Sequence, residues 1–217
     1  MKNVIITGAT GMVGSIVLQQ CLGSIKIEIV TSISRTPSGI KHSKLVEIIH
    51  DDFKDFSSIQ SYFENVDIAY FCLGAYTGSV PDAKFKEITV DYTKAFADIL
   101  KKNSPQAHFC FLSGAGADPK EKSRMSFAKY KGMAENYLIS HGFKSLYIFR
   151  PSYNYPFEKR EEPNFSYRII RKLYPLLKLF GSKYSIKSTE LARAIFKAGF
   201  GKNKNIVLEN QDILQLI

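Results

Sequence analysis

The chain opens with an apolar run followed by three evenly spaced glycines, Val4-Ile5-Ile6-Thr7-Gly8-Ala9-Thr10-Gly11-Met12-Val13-Gly14. The run predicts a β-strand, and the residues after Gly14 favour a helix. Gly8 permits a sharp turn, Gly11 lets the backbone approach a diphosphate, and Gly14 allows the helix to pack close to the sheet. The positive end of the helix then faces the anion. The stretch predicts a dinucleotide-binding loop with these contact residues: Gly8, Thr10, Gly11, Met12, Val13 and Gly14.

Beyond this loop, short β-branched runs alternate with longer segments of helical period, which is typical of βαβ units on a parallel sheet. We predict strands at residues 3–7, 26–32, 45–49, 68–73, 108–113, 145–149 and 205–208. Helices are predicted at residues 12–22, 57–63, 83–102, 122–140 and 190–198. The fold class is therefore α/β, a Rossmann-type doubly wound parallel sheet of about seven strands.

The length of 217 residues fits one domain spanning residues 1–217. Four prolines interrupt the strand and helix rhythm after residue 150, which indicates a small cap insertion at about residues 153–187. Part of this cap, residues 165–180, has a basic amphipathic pattern. Such a helix can lie on a membrane, or it can pack its apolar stripe on its own domain.

Charge is unevenly distributed along the chain. Residues 1–108 contain 11 basic and 11 acidic residues, whereas residues 109–217 contain 19 basic and 9 acidic residues. The second half therefore accounts for the whole net charge of +10. The basic half could attract an anionic small-molecule substrate, and a solvated cationic face is the alternative. No nucleic-acid-binding motif and no apolar stretch of membrane-spanning length is present, so we expect neither nucleic-acid binding nor stable membrane insertion.

The three cysteines are widely spaced, and the four histidines lack metal-ligand spacing. This usage argues against disulfide frameworks and zinc sites and favours a reducing cytoplasm. The first residues contain too short an apolar run for a signal peptide. We therefore expect a cytoplasmic protein with no metal ion.

The choice of dinucleotide depends on the residues after the second predicted strand. A site specific for NAD usually offers an acidic side chain to the ribose 2′-hydroxyl about 20 residues past the glycines. Residues 29–46 contain no Asp or Glu, but Ser34 and Arg35 follow the strand. Arg35 could donate charge-assisted hydrogen bonds to a 2′-phosphate, or it could be an arginine in a solvated loop. We predict NADP(H) over NAD(H), with Ser34 and Arg35 as contacts.

The Gly-x-x-Gly-x-x-Gly spacing at the start of a chain of this size resembles the short-chain dehydrogenase/reductase superfamily. The chain looks most like its atypical branch of NAD(P)-binding proteins, described as epimerase/dehydratase-like or Tat-interacting oxidoreductase-like. The resemblance spans nearly the whole chain and implies an oxidoreductase. It also implies contacts to the adenine, its ribose and the nicotinamide, at Asp52, Phe53, Leu73, Gly74, Pro151 and Ser152. Asp51 could instead be the helix cap beside Asp52, and Gly74 could be an ordinary strand-end glycine.

The resemblance also implies a reaction centre with one departure from the family. Members polarise the substrate with a Ser and use a Tyr-x-x-x-Lys pair on the next helix. Ser113 and Lys131 match the Ser and the Lys as catalytic residues, and Lys131 would also bind the nicotinamide ribose. Phe127 stands where the tyrosine belongs, and a phenyl ring cannot transfer a proton. The other hydroxyls considered are those of Tyr76, Tyr130, Tyr153 and Tyr155, with Tyr130 in poor helical register.

Two functions follow from this pattern. The first is an NADP(H)-dependent oxidoreductase or epimerase-like enzyme acting on a small carbonyl compound, with the proton supplied by water or a cap tyrosine. The second is a catalytically impaired NADP(H)-binding protein that signals to a protein partner. The retained Ser113 and Lys131 favour the first function, whereas Phe127 favours the second.

Overall fold

The computed structural model describes residues 1–156, 185–202 and 205–217. Its centre is a parallel sheet of seven strands in the order β3-β2-β1-β4-β5-β6-β9. Two short strands, β7 and β8, form a separate parallel pair. The bounds are β1 Lys2–Thr7, β2 Ile27–Ser34, β3 Leu45–Ile49, β4 Ile68–Phe71, β5 His108–Leu112, β6 Ser145–Arg150, β7 Tyr153–Tyr155, β8 Ser185–Lys187 and β9 Asn205–Glu209.

Helices cover both faces of this sheet. The α-helices of the described residues are α1 Gly14–Gly23, α2 Asp82–Lys86, α3 Tyr92–Asn103, α4 Ser126–Ser140, α5 Ser188–Ala198 and α6 Asn210–Leu214. A 3₁₀ segment lies at Ser57–Phe63, and a π-helical turn at Glu87–Asp91 joins α2 to α3. The order of the strands reverses direction between β1 and β4, which creates the crevice that Rossmann folds use for ligands.

The two faces of β1 bury different partners, because successive side chains of a strand point to opposite sides. Val4 and Ile6 pack against α1 and α5 in one apolar cluster. Ile5 packs into the opposite cluster, which contains Phe96 of α3 and Phe109 of β5 with their rings 5.7 Å apart. The sheet is therefore buried on both sides, as a doubly wound fold requires.

The predicted Rossmann-type sheet is confirmed, and each predicted strand is present with ends shifted by up to two residues. The predicted helix at residues 83–102 is wrong in one respect, because a π-helical turn interrupts it. Three β-branched residues (Ile88, Thr89, Val90) crowd this turn, and the Thr93 hydroxyl donates a hydrogen bond to the Thr89 carbonyl at 2.9 Å.

The predicted helix at residues 122–140 begins later, at Ser126. The Asp118 carboxylate accepts hydrogen bonds from the backbone N–H groups of Lys120, Lys122 and Ser123 at 2.8–2.9 Å. These bonds hold residues 118–123 in a turn, which competes with helix formation.

The predicted cap at residues 153–187 is described only at its two ends. Tyr153 pairs with Ser185 and Tyr155 with Lys187 in the β7-β8 pair, so the insertion leaves and returns at neighbouring points. Its basic amphipathic segment, residues 165–180, lies outside the described residues. Within the described part of the chain, no helix has the length and apolar character needed to cross a membrane.

Candidate cofactor and reaction site

The glycine loop, which comprises residues 8–14, lies in the crevice between β1 and β4. Gly8 has a φ of +74°, and a Cβ there would lie 2.5 Å from the carbonyl carbon and oxygen of Cys72. A Cβ at Gly14 would overlap the Gly8 carbonyl oxygen. The Gly11 N–H donates to that same oxygen at 2.9 Å, which closes the turn. The loop is thus packed on backbone, and its shape depends on the absence of side chains at Gly8 and Gly14.

Two cavities open on this crevice, and Leu73 lines both of them. The smaller, the adenine-side cavity, has a volume of about 340 Å³. The larger, the reaction cavity, has a volume of about 500 Å³. The glycine loop contributes Gly8 and Thr10 to the first and Gly11, Met12 and Val13 to the second. The two cavities therefore lie along the same loop and share Leu73 as a lining residue.

The adenine-side cavity brings together several of the predicted contacts. Ser34 and Arg35 line it, and the Ser34 hydroxyl donates to the Thr36 carbonyl at 2.6 Å. Phe53 forms a buried wall. Asp51 lines the cavity as well. The cavity lining does not include Asp52, whose carboxylate instead accepts the Lys54 N–H at 2.9 Å.

The reaction cavity brings together the rest of the predicted site. Its walls include Leu73, Gly74, Ser113, Phe127, Lys131, Pro151 and Ser152. Ser113 follows β5, and its N–H donates to the Phe149 carbonyl of β6 at 2.8 Å. Helix α4, which carries Phe127 and Lys131, approaches this loop closely, because a Cβ at Gly132 would overlap the Asp118 carbonyl oxygen.

Phe127 lies on this wall with the tip of its ring against Gly114. A Cβ at Gly114 would be only 2.6 Å from the ring carbon Cζ of Phe127. The ring therefore occupies space that a side chain at Gly114 would need. The wall beside Ser113 is apolar at this point, since Phe127 contributes no hydroxyl.

Beneath the cavity, Ser113 is connected to a buried ion pair. Its hydroxyl donates a hydrogen bond to Glu135 Oε1, and Glu135 is only 1% exposed. Arg150 Nε donates to both Glu135 oxygens at 3.1 Å, and its Nη2 also contacts Oε2. Arg150 Nη1 reaches Glu209 Oε1 at 2.9 Å. Hydrogen bonds to the Glu135 carboxylate raise the pKa of Arg150 above its ordinary value, so Arg150 stays charged.

Lys131 lies one helical turn before Glu135 and is almost fully buried. Its Nζ donates to the Leu112 carbonyl at 3.2 Å and lies 5.4 Å from the centre of the Phe111 ring. Burial lowers the pKa of Lys131 to about 8, and the negative charge of Glu135 opposes the shift. An amine with this pKa can exchange a proton near neutral pH.

The other candidate hydroxyls are placed differently. Tyr76 and Tyr153 line the reaction cavity, whereas the cavity lining among the described residues does not include Tyr155. Tyr130 is directed elsewhere, because its hydroxyl donates to Asp82 Oδ2 at 2.7 Å at an exposed position. Cys72 also lines the cavity, and burial raises the pKa of its thiol to about 12, which keeps it protonated.

Sequence reasoning missed the role of Glu135 and of its pairing with Arg150. The spacing indicated one part of this arrangement, since Glu135 follows Lys131 by four residues and therefore shares its helical face, but it did not indicate the pairing with Arg150. The described residues contain no group of three or more His, Cys, Asp or Glu side chains arranged to bind a metal ion.

The sequence of this chain is similar to those of known proteins. The rat protein HTATIP2 is 27% identical over 221 residues, which cover 99% of this chain and 89% of the rat protein. The Aspergillus niger protein fmp52, named as mitochondrial, is 29% identical over 161 residues, covering 70% of this chain and 66% of the fungal protein.

Two solved structures share the fold. The Bordetella bronchiseptica enzyme WbmH, solved in complex with NAD⁺, superposes with a TM-score of 0.72 at 17% identity, covering 96% of this chain and 75% of WbmH. The UDP-N-acetylglucosamine 4-epimerase of Methanobrevibacter ruminantium was solved in complex with UDP-N-acetylmuramic acid. It superposes with a TM-score of 0.71 at 21% identity, covering 96% of this chain and 76% of the epimerase.

A family model described as NAD(P)H-binding matches residues 8–175, which is more than half of the chain. The match includes the glycine loop, Ser113, Phe127 and Lys131, and its description fits a loop whose glycines leave room for a diphosphate. The chain therefore belongs to the family described as NAD(P)H-binding, and the solved structures share its Rossmann fold.

Proposed function

We propose that the protein is an NADP(H)-dependent oxidoreductase that acts on a small carbonyl compound. The observation that carries the proposal is the pair of cavities along the glycine loop, with Arg35 in the lining of one and Ser113 and Lys131 in the lining of the other. A dinucleotide has the matching layout, with a phosphate-bearing ribose at one end, a diphosphate in the middle and a reactive ring at the other end. When bound, the cofactor supplies or accepts a hydride.

Each part of the cofactor has proposed partners. The adenine and its ribose would bind in the adenine-side cavity against Phe53 and Leu73, and Asp51 would take the adenine contact that the resemblance implies for Asp52. The diphosphate would lie on residues 8–14. The nicotinamide would enter the reaction cavity beside Gly74, Pro151 and Ser152, with Lys131 binding its ribose.

The preference for NADP(H) is supported by the charges of the adenine-side cavity. Arg35 is exposed at its rim, where its guanidinium could donate paired hydrogen bonds to a 2′-phosphate. Such a charge-assisted contact contributes about 1.5–3 kcal/mol, or roughly tenfold to hundredfold in affinity. NAD(H) would lack this contact.

The substrate would share the reaction cavity with the nicotinamide. A volume of about 500 Å³ leaves space for a small molecule beside that ring. Tyr76, Phe127 and Tyr153 give the cavity aromatic walls, and Lys131 supplies a buried cation. These features favour a small compound with an apolar part and a carbonyl oxygen directed at Lys131, with a negative charge elsewhere as an optional feature.

The cofactor assignment can be tested by titrating purified protein with NADPH and with NADH. Because the chain has no tryptophan, the fluorescence of the reduced cofactor can be followed without an overlapping donor. We expect NADPH to bind at least tenfold more tightly than NADH. Arg35→Ala should remove this preference, and Lys41→Ala, at an exposed position in the same loop, should retain it. Equal affinities of the wild type for both cofactors would contradict the assignment.

A second candidate function is favoured by Phe127. Loss of the family hydroxyl is compatible with a protein that binds NADP(H) and uses its occupancy to regulate a protein partner. Turnover separates the two functions. Oxidation of NADPH in the presence of quinones, aldehydes or ketones supports the oxidoreductase, whereas tight binding without turnover by any acceptor supports the regulatory protein.

Cytoplasmic location also stays a prediction, because the fungal relative is named as mitochondrial. Fractionation of cells that express a tagged chain would test it.

A further inference from the structure

The reaction cavity has an unusual set of hydrogen-bond donors. Where the family pattern would offer a tyrosine hydroxyl, Phe127 offers a hydrocarbon edge. A carbonyl oxygen in this cavity still needs a donor, since negative charge develops on it as a hydride arrives at the carbon. The question is which side chain of the wall supplies that proton.

Ser113 is an unsuitable donor because of its partner. Its hydroxyl donates to Glu135 Oε1, and the same oxygen accepts a hydrogen bond from Arg150 Nε. The Ser113 oxygen therefore presents lone pairs to the cavity. In this arrangement Ser113 accepts a hydrogen bond from an alcohol and cannot donate one to a carbonyl.

Lys131 has the opposite character. Its ammonium group carries three N–H donors, and the Leu112 carbonyl accepts one of them at 3.2 Å. Lys131 also lines the reaction cavity next to Ser113 and Phe127. It is the cationic side chain in the part of the cavity lining that the structure describes.

We propose that Lys131 is itself the general acid of the reaction, with Ser113 as the acceptor of the product hydroxyl and Glu135 as the positioning residue that fixes this polarity. The inference rests on the proposed oxidoreductase function. The carbonyl carbon gains a hydride from NADPH, and the electron pair of the C=O π bond moves to oxygen. That oxygen takes a proton from Lys131 Nζ. The carbonyl is reduced to an alcohol, NADPH is oxidised to NADP⁺, and neutral Lys131 recovers a proton from water.

The surroundings of Lys131 suit this role. Its pKa is lowered to about 8 by burial, against the opposing charge of Glu135 on the same helix. The other ionisable groups around it are Arg150 at the end of β6, Cys72 after β4, and Tyr76 and Tyr153 on the cavity wall. Reduction requires protonated Lys131, so its rate should fall as pH rises through about 8. Alcohol oxidation requires neutral Lys131 and should show the reverse profile.

The first test needs no cofactor. Purified protein is acetylated with a limiting amount of acetic anhydride at a series of pH values, and modification of Lys131 is measured by mass spectrometry against a free lysine peptide in the same tube. We expect the Lys131 midpoint near pH 8, and a lower midpoint in Glu135→Gln because the opposing charge is removed. A midpoint equal to that of the free peptide would overturn the proposal.

The second test uses substitutions. Lys131→Arg keeps a cation for the ribose but cannot release a proton near neutral pH. We expect it to bind NADPH within about tenfold of the wild type and to lose at least a hundredfold in turnover of 9,10-phenanthrenequinone or 4-nitrobenzaldehyde. Lys129→Arg, at an exposed position of the same helix, is the matched control and should keep wild-type turnover. Lys131→Met also lacks a proton to donate, and its side chain fits a buried site more easily than arginine, so we expect the same loss of turnover.

The outcomes separate this inference from the proposed function. Turnover that survives in Lys131→Arg, or that is lost only in Tyr76→Phe or Tyr153→Phe, overturns the role of Lys131 and leaves the oxidoreductase intact. Absence of NADPH binding by the wild type overturns the proposed function itself.

Discussion

The glycine loop and the wall of the reaction cavity are shaped for a ligand in opposite ways. The loop at residues 8–14 depends on missing side chains, because Cβ atoms at Gly8 and Gly14 would overlap neighbouring backbone. The wall depends on side chains, with Ser113, Lys131, Glu135 and Arg150 linked through charges and hydrogen bonds. The loop has the glycine spacing of the superfamily that the sequence resembles, whereas Phe127 stands where that resemblance implies a tyrosine.

The difference shows which kind of site tolerates a change in chemistry. A loop of backbone amides binds a diphosphate only in one shape, so a substitution there changes the shape itself. A wall of side chains can redistribute donors and acceptors when one residue changes. Loss of a hydroxyl at Phe127 can therefore leave a working site, provided that another group on the wall titrates near neutral pH.

The largest effect should come from the loop. Gly8→Ala places a Cβ 2.5 Å from Cys72 backbone atoms at a φ of +74°. We expect the free energy of unfolding to fall by about 4 kcal/mol or more, or folding to fail. Urea unfolding followed by circular dichroism measures this change.

Gly39→Ala is the matched control for this substitution. Gly39 has a similar φ of +76°, but a Cβ there meets no atom within 4 Å. Only the conformational cost of about 1–2 kcal/mol should remain. Equal losses at the two positions would show that backbone conformation, and not the close approach to Cys72, dominates at Gly8.

The next effect tests the wall. Glu135→Ala leaves Arg150 without its buried partner and Ser113 without its acceptor, so we expect a loss of about 3 kcal/mol in stability. Glu209→Ala removes the exposed partner of the same arginine and should cost less than about 1 kcal/mol. If the two substitutions cost the same, Glu135 is not the anchor of this network.

The smallest effect has the opposite sign. Lys131→Met removes a buried ammonium group, and we expect stability to rise by about 1–2 kcal/mol at pH 7, or a few degrees in the melting temperature. Folding lowers the pKa of Lys131 from 10.5 to about 8, so the unfolded wild type binds more protons between these values. The difference in the free energy of unfolding between Lys131→Met and the wild type should therefore shrink as pH rises from about 8 to 10.5.

Thermal melts of the two proteins at pH 7 and pH 10 measure this convergence. A difference in melting temperature that stays constant between the two pH values would mean that Lys131 keeps an ordinary pKa in the folded protein.

Local patterns in the sequence were enough to predict most of the fold. The short apolar runs before Gly8, Gly74 and Ser113 predicted buried strands, and the glycine spacing predicted the turn into α1. The interrupted helix before α3 could not be predicted from the 3.6-residue period. It depends on crowding at Ile88, Thr89 and Val90 and on the Thr93 hydroxyl, which are details of packing.

The candidate site was predictable where spacing alone matters. Phe127 and Lys131 are four residues apart on one helix, so their common face was evident from the sequence. The links from Ser113 to Glu135 and from Glu135 to Arg150 join β5, α4 and β6. Such long-range contacts leave no local pattern, and which of Asp51 and Asp52 lines the adenine-side cavity depended likewise on the direction of the chain after β3.

The most direct test of the account is a crystal structure of the protein with NADP⁺. We expect the diphosphate on the backbone of residues 8–14, the 2′-phosphate against Arg35, and the nicotinamide in the reaction cavity with its ribose at Lys131. A diphosphate bound away from the glycine loop, or a 2′-phosphate turned away from Arg35 into solvent, would contradict it.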